Sequence, residues 1–182
     1  LYEKAVEFGE LKKTTAGYVN LMKRMGDLYF ILKKYERSAE CFTLVVEALD
    51  KPDDFDLDDK AQQLLVGDAS RTYERFGLAF LRANQPKLAV KAFQQAQANA
   101  PNQGLLAFHM AQVHASQDEP QKALDQLNIY FDHHLQSKGT EPYELLAELL
   151  KDLKREDELV GRLEKLVESD KKNAALRYYL AR

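Results

Sequence analysis

The chain has 182 residues, 45% hydrophobic and 30% charged, and its 26 Lys and Arg against 29 Asp and Glu leave a net charge of −3. That balance argues against a protein that works by neutralising nucleic-acid phosphates, while 8 Gly and 5 Pro suit a helix-rich chain better than a disordered or strand-rich one. The single cysteine, Cys41, excludes an internal disulfide and a cysteine-based zinc cage.

Residues 1–18 open with Tyr2, Ala5, Val6 and Phe8 near helical spacing, amphipathic and charged rather than signal-like, and read as the second helix of an incomplete hairpin. Residues 19–50 form a full hairpin, with Met22, Met25, Gly26 and Tyr29 on the first helix and Tyr35, Ser38, Ala39, Phe42 and Val45 on the second. The small Gly26 and Ser38 let these helices approach, and Met22, Tyr29 and Phe42 fill the seam. Residues 51–68 break the pattern with an acidic loop, Pro52 to Asp59, followed by a short amphipathic helix.

The hairpin returns at 70–103, with Asp68 as its N-cap and Pro86 in the first turn of its second helix. It returns again at 104–139, where Pro120 takes the place of Pro86; its second helix is expected to run on toward Gln136, with Gly139 as the stop and Thr140 capping the next start. Residues 140–173 carry Tyr143, Leu146, Ala147, Leu150, Leu159, Leu163 and Leu166 in the same phase. Residues 174–182 match a first helix alone, leaving Leu176, Tyr179 and Leu180 without a partner helix. A pattern cut mid-unit at both ends reads as part of a longer protein.

The phase is set by Gly26, Gly77, Ala111 and Ala147. The step from Gly77 to Ala111 is 34 residues, and the wider step of 51 from Gly26 to Gly77 takes up the insertion. Around Gly77, the residues Tyr73, Phe76, Phe80, Ala89, Phe93, Ala96 and Pro101 complete an eight-place signature that resembles the tetratricopeptide repeat (TPR) family. The resemblance implies an all-α, right-handed superhelical solenoid of antiparallel helix pairs whose work is protein binding.

By the same resemblance a concave groove is lined from the first helix of each copy. It takes Asn20, Lys23, Arg24 and Asp27 from copy one, and Arg71, Glu74, Arg75, Leu78, Leu81 and Arg82 from copy two. Copy three adds Leu105, Phe108, His109 and Gln112, and copy four adds Glu144 and Glu148. Basic at first, apolar in the centre and acidic at the end, this set reads either as a graded surface for an extended segment or as ordinary solvated helix faces. The carboxylate clamp of one TPR subclass fails here, because Asp27, Arg75, Leu105 and His109 stand where it wants Asn or a base. Arg71 and Arg75, four apart, could meet one carboxylate or phosphate together, or be plain surface.

The acidic loop reads either as solvated or as docked on Arg71, Arg75 or Lys23. Its alternating Asp54, Asp56 and Asp58 lack the Gly and Glu that a calcium loop needs. His114 falls at a seam position and is expected to be packed, with His109 on another face and no third ligand for zinc. Cys41 reads as a small buried residue, and no phosphate loop, nucleophile or acid–base pair appears. The expectation is therefore a non-enzymatic scaffold without cofactor or metal. It holds a peptide or partner helix, binds no nucleic acid, inserts in no membrane for want of a long apolar run, and is soluble, with the compartment left open and the cytoplasm favoured. The alternative is a structural spacer or self-assembly segment whose open ends associate.

Overall fold

The computed structural model describes residues 12–99, 103–135 and 138–181, and every regular element among them is helical. The half hairpin expected before residue 12 lies largely outside the described residues. The chain divides into two compact units, Leu1–Asn99 and Ala100–Arg182.

In the first unit, α1 (Ala16–Ile31) and α2 (Tyr35–Asp50) form one hairpin, and α4 (Ala69–Arg82) and α5 (Pro86–Ala98) form another. Between them stand a 3₁₀ turn (Pro52–Phe55) and α3 (Asp59–Val66). Each start has a local cause. The side chains of Thr15, Asp58 and Asp68 accept from the N–H groups of Tyr18, Ala61 and Arg71, which would otherwise lack an intrahelical partner. Pro86 begins α5, where its missing N–H costs nothing.

The two hairpin seams close by size matching. A Cβ added to Gly77 would lie 2.5 Å from the Phe93 ring, and one added to Gly26 would press closer still on Phe42. Phe42 and Phe93 are fully buried, so neither ring can swing away. Ser38 adds a buried hydrogen bond, its Oγ donating to the Gly26 carbonyl at 2.8 Å. Phe42 also packs on Phe76 with ring centroids 4.4 Å apart, which joins α2 directly to α4. The insertion is anchored by two leucines, Leu57 and Leu65, both buried.

The second unit contains α6 (Gln103–Ser116), α7 (Pro120–Asp132), α8 (Glu141–Asp152), a 3₁₀ turn (Glu156–Glu158), α9 (Leu159–Ser169) and α10 (Ala174–Leu180). Here the same spacing carries residues of other sizes: Ala111 and Leu127, and Ala147 and Leu163, are sixteen residues apart as Gly26 and Phe42 are. Ala111, Leu127 and Leu163 are buried, and Ala147 half-buried. An aromatic run of Phe108, Tyr130, Phe131, Tyr143 and Tyr179 crosses this core, with Phe131 and Tyr143 stacked at 5.6 Å.

Three expectations about the elements of this unit are corrected. Helix α7 ends at Asp132 and does not reach Gln136, because His134 turns into the left-handed region at φ 50 and the Tyr130 hydroxyl donates to the Leu135 carbonyl beyond it. Leu176 is not left without a partner: it is buried in the core of this unit, and Asn173, itself buried, caps α10 while its amide donates to the Tyr143 hydroxyl at 2.9 Å. Thr140 precedes α8, but its hydroxyl donates to the Glu144 carboxylate and caps no backbone N–H.

The turn inside each hairpin is built alike. Lys33, Asn84, Asp118 and Lys154 adopt φ of 57, 55, 58 and 57. The next residue then sends its N–H back five places, from Lys34 to Tyr29, Gln85 to Phe80, Glu119 to His114 and Arg155 to Leu150. This satisfies helix-end carbonyls in the manner of a Schellman cap, without the usual glycine.

Candidate functional site

Helix α1 brings Asn20, Lys23, Arg24 and Asp27 to successive turns of one face, and their neighbours decide which charges remain available. Asp27 accepts from Lys23 Nζ at 3.0 Å and from Arg75 Nη1 at 2.9 Å, so it braces α1 to α4. Arg71 pairs with Asp68 at 3.4 Å. The two arginines therefore face different carboxylates of their own chain. The acidic loop meets neither: Asp53, Asp54 and Asp56 are exposed, Asp58 caps α3, and Asp27 and Asp68 hold the arginines and Lys23.

Arg24 donates from Nε to the Asn20 amide oxygen at 2.9 Å and has no carboxylate partner among the described residues; the exposed Arg82 has none among them either. Glu74, Leu78 and Leu81 complete this face half-buried. Arg24 and Asn20 also line an open cavity of about 460 Å³ between α1 and α3, walled by Ala16, Gly17, Ala61, Leu64 and Leu65. The insertion thus stands beside the side chains nominated in copy one, through its helix rather than its acidic loop.

In the second unit the nominated set does not form one surface. Phe108 is 1% exposed, its ring 5.2 Å from Tyr130, because the α6–α7 seam takes an aromatic pair there. It cannot serve as the apolar contact for a partner. His109 is equally buried, with Nδ1 3.4 Å from Gln112 Oε1. His114, expected in the core, is half-buried instead, because Glu119 at the turn places a carboxylate 2.7 Å from its Nδ1, and Lys122 joins the same carboxylate. Leu105 and Gln112 are half-buried, and Glu144 and Glu148 are exposed on α8. Cys41 is buried, and burial with the charge of Glu40 pushes its thiol up to about 11, far from a reactive thiolate.

One feature escaped the sequence reading. A larger cavity of about 470 Å³ opens between α2, α4 and α5, floored by Val46, Leu49, Phe80 and Leu88 and flanked by Asp50, Tyr73 and Lys91. None of the nominated residues lines it. Its walls come from three helices of two copies, and only the angle between helices could have revealed it.

These hairpins define an all-α, TPR-like helical-repeat fold. Among solved structures, the chain is similar to that of the MamA protein, with a TM-score of 0.51 and 16% identity, over 90% of this chain and 96% of that one. At that identity the likeness is one of fold. No protein-family profile matches the sequence, and no curated protein matches it. Among the described residues, no helix is long and apolar enough to cross a membrane.

Proposed function

We propose that this chain is a non-enzymatic protein-interaction module whose first unit holds an extended peptide or partner helix against the outer side chains of α1 and α4. The observation that supports this reading is the division of labour on that face. Apolar seam residues are buried beneath it, Lys23, Arg71 and Arg75 are held by Asp27 and Asp68, and Arg24 and Arg82 stay exposed with no carboxylate among the described residues. A guanidinium already in the right place but unpaired is the group a partner's carboxylate or backbone carbonyl meets at least cost.

The double variant Arg24→Glu with Arg82→Glu is expected to lose partners that the parent chain captures from its source cells, while its circular dichroism is unchanged. Equal capture by both proteins would count against the assignment. A second reading, a spacer or self-assembling segment, is favoured by the exposed Leu28, Ile31 and Leu32 at the end of α1. It predicts that light-scattering mass rises with concentration, and a constant monomer mass would remove it.

A further inference from the structure

The cavity between α2, α4 and α5 has a counterpart in the second unit. There α7, α8 and α9 enclose about 390 Å³ lined by Phe131, Asp132, Leu146, Lys165 and Leu166. The two crevices share a plan. In each, the last residue of the earlier hairpin's second helix is an aspartate, Asp50 of α2 and Asp132 of α7. In each, the second helix of the following hairpin supplies a lysine, Lys91 of α5 and Lys165 of α9, and an apolar floor lies between.

None of these four charged side chains makes an ion pair among the described residues, whereas Arg162 beside Lys165 is taken by Glu158 at 2.9 Å. The aspartates also sit where local energetics opposes them, since a carboxylate on the last turn of a helix faces the negative end of its dipole. An aspartate that breaks this local rule at the end of a helix in both crevices, with no ion pair among the described residues, is the group that a basic side chain from outside the chain would satisfy.

The geometry points to two docking crevices of like composition, one in each unit, for a peptide segment that presents an apolar side chain between a basic and an acidic one. The apolar group covers the half-buried Val46 and Leu49, or Leu166, the base meets the aspartate and the acid meets the lysine. The Tyr73 hydroxyl and the amides of Gln94 and Gln95 line the first crevice and can bond the segment's backbone. This face is separate from the α1 and α4 side chains discussed above, so either assignment can fail alone.

The test uses the whole chain and a panel of end-capped fluorescent peptides, each carrying one phenylalanine between a lysine and a glutamate at varied spacing. At low salt the best member is expected to bind saturably and to weaken about tenfold when Asp50→Lys and Asp132→Lys are combined. Exchanging lysine and glutamate for each other's charge in the peptide should restore binding once Lys91→Glu and Lys165→Glu are added. Arg24→Glu should leave binding unchanged. The combined aspartate variant should melt about 1–3 °C higher, because the helix ends are relieved. Absence of saturable binding by every peptide, or a charge reversal that leaves the affinity as it was, would overturn the proposal.

Discussion

Gly77 and Phe93 show how one missing methyl group sets a helix spacing. The Phe93 ring occupies the volume that a side chain on Gly77 would need, and at the same spacing Ala111 and Leu127, both buried, put a larger first residue with a smaller second. Gly77→Ala is expected to destabilise the protein by about 1–3 kcal/mol through overpacking. Adding Phe93→Leu should return part of that loss, a coupling that urea unfolding of the two single variants and the double variant measures; strictly additive costs would show that the seam relaxes in some other way.

At the same scale Glu158 is a pH-sensitive tie. Hydrogen bonds from Arg155 and then Arg162 hold its carboxyl down from 4.5 to about 2. A carboxyl that is more acidic when folded contributes stability above its unfolded value and loses it as the pH falls through the folded one. The stability difference between the parent chain and Glu158→Gln should therefore be full above pH 4.5 and vanish toward pH 2. A difference independent of pH across that window would place the effect in packing rather than charge.

Among the elements, the hairpin turns carry a removable strain. A side chain in the left-handed region costs about 1–2 kcal/mol relative to glycine, and lysine gains no local hydrogen bond there as asparagine or aspartate can. Lys33→Gly and Lys154→Gly are each expected to stabilise the protein by about 1 kcal/mol, and Asn84→Gly by less. Thermal melting of the three variants ranks them. No gain at Lys33 and Lys154 would mean that glycine's extra freedom in the unfolded chain cancels the relief.

For the molecule as a whole, the fold was legible because it is written in spacing: glycine or alanine on one helix, Phe or Leu sixteen places on, and proline at two helix starts. Binding surfaces are not written that way. Phe108 and His109 fall at positions the resemblance assigns to a groove, yet their burial depends on Tyr130 and on the angle at which α7 crosses α6, which no periodicity encodes. Arg71 and Arg75 looked alike in the sequence, and only the placement of Asp68 and Asp27 shows that each already has its carboxylate. The end of α7 was misread for a related reason, since a histidine in the left-handed region gives no warning that a glycine would give.

The contact of Phe42 with Phe76 bears on how this chain can be engineered. Because those rings join the first and second hairpins without passing through residues 51–68, the intervening segment is a side branch, rooted by Leu57 and Leu65 and open at Asp54 and Asp56. Doubling the length of such a branch costs only about 0.6 kcal/mol of closure entropy. An epitope or a fluorophore-binding sequence spliced at Asp54 would ride on the scaffold as a passenger, leaving the register on either side of it undisturbed.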